Sequence, residues 1–139
     1  MSLFRVFDVA GSAMSAQSVR LNTTASNLAN ANSVSSSVDE TYKARYPVFQ
    51  AQLDQANAAQ NDAVGVNVAG IVESDAPLVN EFNPNHPLAD ENGYVYRPNV
   101  NVMEEMANMI SASRSYQTNV QIADSAKQML NKTLTLGQG

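Results

Sequence analysis

A run of residues near the C-terminus, alternating in steps of four and three, constrains this 139-residue chain most. Val102, Met106, Met109, Ser113, Tyr116, Val120, Ala123, Lys127, Leu130 and Leu134 hold that spacing, and most are apolar. A stripe of this period runs along one side of a helix and has to be covered by another helix. Asn101 stands before it as an N-cap, with Glu104 three residues on in the spacing of a capping box. Glu104 and Glu105 suit the positive end of the helix dipole, Lys127 and Lys132 suit the other end, and Gly137 is a stop signal.

The first part of the chain carries a matching pattern. Phe7, Met14, Leu21 and Leu28 recur every seven residues, with Phe4, Gly11, Ser18 and Ala25 three residues earlier. The spacing predicts a helix from Leu3 to about Asn30, with large residues in one column and mostly small ones in the other. Its end is expected at Asn30–Ser33, with asparagine supplying the left-handed conformation that closes helices. A second stripe, Val6, Val9, Ala13 and Ala16, implies partners on more than one side. At 1.5 Å per residue the two helices would be roughly 40 Å and roughly 50 Å long. A small middle region cannot cover both, so they are expected to pair with each other and leave apolar surface over.

The middle reads as short strands and turns. Tyr42, Ala44, Tyr46 and Val48 alternate with Lys43, Arg45 and Pro47, the pattern of a half-buried strand that proline places at an edge or ends. Val64, Val66 and Val68 begin a second strand that continues through Ile71 and Val72. Residues 51–63 read as a polar loop or a weak helical turn. Asn92-Gly93 predicts a hairpin turn into Tyr94-Val95-Tyr96. The expected fold class is α+β: long N- and C-terminal helices paired as a coiled-coil hairpin, with a small, mainly β domain between them. The expected division is 1–33 with 99–139 as the helical unit, and 34–98 as the β-rich unit behind a Ser-rich joint at 33–41.

Charge supports three regions. The chain carries 13 acidic and 8 basic residues. Residues 1–33 sum to +1 and residues 99–139 to 0, so the middle holds −6. Without clustered Lys and Arg, a nucleic acid or an anionic membrane surface is not an expected partner. The absence of cysteine removes disulfides and thiolate metal sites. No stretch approaches the ~20 apolar residues of a membrane span. Asp8, Ser12 and Ser15 interrupt what a signal-peptide core would need, so any export is expected to avoid a cleaved signal.

Catalytic chemistry finds little footing. His86 is the only histidine, with Asp75, Glu81, Asp90 and Glu91 near it in sequence, but their spacing matches no ligand motif. Asp54 and Asp62 are a pair of carboxylates with nothing to place them in a pocket. No cofactor is expected, and an enzyme is not the expected class. The stronger candidates are assembly residues. The helix seam is assigned to Phe7, Met14, Leu21 and Leu28 against Met106, Met109, Tyr116, Val120, Leu130 and Leu134. Val6, Val9, Met103, Ile110, Ile122 and Met129 lie off that seam and are the candidates for contact between chains. Ser111, Thr118 and Ser125, flanked by Arg114, Gln121 and Gln128, form a polar face that is either solvated or lines a water-filled channel.

Two stretches carry a family resemblance. Ser12 to Asn22, running into Ala25-Ser26-Asn27-Leu28-Ala29-Asn30-Ala31-Asn32, resembles the N-terminal signature of the flagellar rod and hook axial proteins. Tyr96-Arg97-Pro98-Asn99-Val100-Asn101-Val102-Met103-Glu104-Glu105-Met106, followed by Ser115-Tyr116-Gln117-Thr118-Asn119, is similar to their C-terminal signature. Length and the segment Asn85-His86-Pro87-Leu88-Ala89-Asp90 resemble the proximal rod proteins, among which an FlgB-like subunit is an alternative; a non-flagellar helical adaptor is the other. Ser33-Val34-Ser35 stands where many relatives have a Thr-Pro-Gly-Tyr turn, so that turn's geometry is not carried over. The resemblance implies a structural subunit of a tubular, periplasmic rod, exported unfolded by the flagellar type III system. It implies as partners other rod proteins (FlgB, FlgF, FlgG), the rod base at the MS-ring junction (FliE, FliF) and further copies of the chain. It also implies an inner tube of paired terminal helices with the C-terminal one towards the lumen, which favours the channel reading of Ser111, Thr118 and Ser125.

Overall fold

A computed structural model describes residues 3–52 and 64–137. Asp54, Asp62 and most of the polar stretch 51–63 lie outside the described residues. The order is α1 (Leu3–Asn30), β1 (Arg45–Gln52), β2 (Gly65–Glu73), β3 (Val79–Phe82), β4 (Tyr94–Arg97) and α2 (Val102–Leu136). Two long helices with a small β region between them make this an α+β chain, as expected from the two stripes.

The helices begin and end for local reasons. Asn101 caps α2: its Oδ1 accepts from Met103 N at 3.1 Å and Glu104 N at 3.4 Å. α1 ends at Asn30, where expected, but not through a left-handed asparagine, since no non-glycine residue among those described has positive φ. Instead Asn30 donates its Nδ2 to Ser26 O at 2.8 Å, and Ser33 donates its backbone N and its Oγ to Asn30 O at 3.0 and 2.8 Å. Ser33 thus meets the orphan carbonyl of Asn30, and Ala31 N donates to Leu28 O at 3.3 Å, so no left-handed residue is needed.

The β region is two antiparallel ribbons. β1 pairs with β2 from Arg45↔Glu73 to Gln52↔Gly65, with an irregularity between Val48 and Phe49. Pro47 sits inside β1 and does not end it, because a two-stranded ribbon has only edge strands. The ribbon lies along α1. At one end Asn27 holds Arg45; at the other Val66 N donates to Ser12 Oγ at 3.1 Å. The helix between Ser12 and Asn27 measures roughly 22 Å and seven strand steps measure roughly 23 Å, so the two run level.

β3, which no sequence pattern announced, pairs with β4 from Val79↔Arg97 to Phe82↔Tyr94. Their connection closes on Gly93 at φ +82, the turn residue expected there. Asp90 Oδ1 accepts from Asn92 N and Tyr94 N, and its Oδ2 accepts from Tyr96 OH. Ser35 in the Ser-rich joint exchanges both backbone bonds with Tyr96 at 3.0 Å, which ties the joint to β4.

Candidate assembly interface

The buried positions of the two helices are small or polar. On α1 the buried residues are Ala10, Ala16, Thr23, Thr24 and Asn27; on α2 they are Glu105, Ala112 and Ala126. Thr23 Oγ1 donates to Val19 O at 2.8 Å, so its hydroxyl is satisfied within its own helix and can be buried.

This is not the line that hydrophobicity picked out. On α2 the sequence pattern combined two columns, 102/109/116/123/130 and 106/113/120/127/134. In the structure the deepest line of α2 is 105/112/119/126, which holds Glu105, Ala112 and Ala126. Met109, Val120 and Leu130 are half-buried, while Tyr116 at 38%, Met106 at 49% and Leu134 at 58% remain exposed. On α1, Phe7, Met14, Leu21 and Leu28 are half-buried and flank the contact, and their companions Phe4, Gly11, Ser18 and Ala25 are exposed. Alanine and threonine let the backbones approach closely, and shorter separation gains more van der Waals contact along the helices. The large residues are thereby displaced to the sides.

The seam is closed at one end by a polar node around Asn27, which is 0% exposed. Its Oδ1 accepts from Tyr42 OH at 2.8 Å and Arg45 N at 2.9 Å. Its Nδ2 donates to Arg45 O at 2.9 Å and Glu105 Oε2 at 3.0 Å. Two donors and two acceptor sites are the full capacity of the amide. Glu105 is 1% exposed, and among the described residues its Oε1 meets no donor within strict hydrogen-bond geometry, with the Tyr46 hydroxyl as its side-chain partner in electrostatics. The Tyr46 hydroxyl lies in the same environment: burial, then the negative charges of Glu105 and Glu104, raise its pKa above the ordinary 10.0.

Asn99 repeats the device at the entry to α2, accepting from Ala44 N at 2.8 Å and donating to Ala76 O at 2.7 Å. Asn27 was legible only as part of a signature, and Glu105 only as a first-turn acid. Nothing in sequence spacing alone says that the two meet across 78 positions.

The remaining candidates divide between the two helices. Val6 and Val9 are half-buried on the inner side of α1. Met103 at 75%, Ile110 at 55%, Ile122 at 43% and Met129 at 54% are exposed, and Leu136 at 81% extends the Ile122–Met129 column by another heptad. Ser111, Thr118 and Ser125 are exposed in the column beside it, given about 100° per residue. His86 is spent on its own turn, where its Nδ1 accepts from Leu88 N at 3.1 Å. Among the described residues, no three His, Asp or Glu side chains gather as a metal site would require.

A helical hairpin with apolar columns left outside, carrying a β ribbon along one helix, is the form of a structural subunit with surface left for neighbours. Residues 7–35 match the family described as flagella basal body rod protein, and residues 91–136 match the flagellar basal body rod FlgEFG protein C-terminal family. The chain is 52% identical over 139 residues to the flagellar basal-body rod protein FlgC of Salmonella typhimurium, covering 99% of this chain and 100% of that one. It is 52% identical over 140 residues to FlgC of Yersinia enterocolitica and 40% identical over 138 residues to FlgC of Buchnera aphidicola from Acyrthosiphon pisum, at the same coverage. The chain belongs to the FlgC family of flagellar basal-body rod proteins. It is a structural rod subunit and not an enzyme.

Proposed function

We propose that the chain reaches the rod by the flagellar type III route, without a cleaved signal peptide, and assembles in the periplasm. Residues 1–33 and 99–139 act as one unit that builds the inner tube, and residues 34–98 as a second unit outside it. Ser111, Thr118 and Ser125 face the export channel. Met103, Ile110, Ile122 and Met129 bind neighbouring subunits: FlgB, FlgF and FlgG, the base proteins FliE and FliF, or further copies of this chain. The seam residues Phe7, Met14, Leu21, Leu28, Met106, Met109, Tyr116, Val120, Leu130 and Leu134 flank the intramolecular contact and extend these surfaces.

The observation that carries this reading is the outward apolar surface of α2. Exposed columns of that kind on a subunit of a larger assembly mark where other chains sit. Their test is Ile110→Asp and Met129→Asp. Both positions are exposed in the single chain, so its folding should be unaffected, whereas burial of the new carboxylate between chains should prevent incorporation. Purified basal bodies are expected to lack both variants while circular dichroism of the soluble chain is unchanged. Incorporation of both at wild-type levels would overturn the assignment of these columns.

A further inference from the structure

The α1–α2 seam specifies closeness well and register poorly. Its deepest positions are mainly alanine and threonine, and Ala112 and Ala126 lie two heptads apart on one line of α2. Side chains this short make no distinctive knobs, so α1 displaced by one heptad would again meet small residues. Such a slide is roughly 10 Å, enough to misplace every surface the two helices carry. Buried polar groups that find a partner in only one arrangement are the best-attested means of excluding it.

We propose that the buried Asn27–Glu105 pair sets the register of the hairpin and directs α1 to the α2 of its own chain. Asn27 has no hydrogen-bonding capacity to spare, and one of its four bonds ends on Glu105 Oε2. One heptad out of place, the amide meets the Ala112 turn, and the buried Glu105 carboxylate loses its bond from Asn27. Taking a hydrogen bond from a buried carboxylate costs far more than exchanging one alanine contact for another. The bond from Arg20 Nη2 to Asn108 Oδ1 at 2.9 Å lies along the same seam and acts in the same sense. Because Asn27 also holds both backbone groups of Arg45, one side chain fixes the helix register and the point where β1 enters.

The chain has no cysteine, so introduced pairs report register without background. Positions 13 and 119 are equally far along their helices from Asn27 and Glu105, and face each other in the native register. Positions 13 and 112, or 13 and 126, do so only one heptad out. A short thiol cross-linker on the full-length chain should join Ala13→Cys to Asn119→Cys in the otherwise wild-type protein. Asn27→Leu with Glu105→Leu replaces the polar pair by apolar side chains. It is expected to raise the 13/112 and 13/126 products about tenfold, with a matching fall in incorporation into basal bodies. Should that variant not fold, Glu105→Leu alone decides, because Asn27 then keeps its bonds to Arg45 and Tyr42; the same shift is expected. Cross-linking confined to 13/119 in these variants would overturn the proposal, whatever their incorporation. The inference rests on the rod-subunit reading only for the incorporation readout. A wild-type chain missing from basal bodies would contradict that reading and leave the cross-linking result standing.

Discussion

Gly93 is the residue whose identity the backbone dictates most directly. At φ +82 a side chain is strained, and a Cβ would stand 3.0 Å from Phe82 Cε2 and 3.1 Å from Pro84 Cβ. Gly93→Ala should destabilise the chain by about 1–3 kcal/mol, read as a lower denaturant midpoint with unchanged slope. Asp90 beside it accepts from Tyr94 N above all, and its pKa lies below the ordinary 3.8. A lowered carboxylate pKa contributes stability above the unfolded value that is lost as pH falls through the folded one. Asp90→Asn should therefore flatten the loss of stability on acidification below about pH 4. Tyr46 has the opposite sign: with its pKa raised, its contribution is complete below about pH 10 and disappears as pH rises through the folded value. Tyr46→Phe should soften the alkaline decline in urea midpoint; an identical decline in both proteins would contradict its burial beside Glu105. The turn at Gly93 was readable from Asn92-Gly93, since positive φ has few residue solutions. Asn27 was not, because a buried polar node depends on groups brought together from three separate elements.

Both helices were legible from the heptads, to within a residue at the start of α2. Which face closes the hairpin was not. Counting apolar side chains favours the column with the largest ones, whereas close packing favours the column that lets backbones approach. Ala112, at 0% exposure, is where this distinction is sharpest. Ala112→Leu keeps helix propensity but forces the helices apart, and should cost about 1–3 kcal/mol in a thermal or urea melt. A neutral result would return the contact to the large-residue column. β3 escaped the sequence reading because four residues including Asn80 and Glu81 offer no alternating pattern, and its burial is slight. Its pairing follows from β4 and the Gly93 turn, which is information about a neighbour.

As a whole molecule, the chain is not built to stand alone. Six of the seven fully buried apolar residues among those described are alanines, the other being Val95. The chain exposes 9478 Å², whereas a compact monomer of its 14.9 kDa would expose about 7,000 Å². Among the described residues, nine of the nineteen exposed large apolar side chains lie on α2 and seven on the β strands. Such a chain is marginal by itself, and α1 should be cleaved more readily in the isolated monomer than in assembled basal bodies; equal resistance of residues 3–30 in the two would count against completion by assembly. The most direct measurement is a side-chain-resolution map of the assembled basal body. α1 and α2 should be paired in the inner tube, with Ile122 and Met129 against neighbouring chains and Ser111, Thr118 and Ser125 towards the channel. Terminal helices on the outside of the rod, with the β ribbons lining the channel, would contradict it.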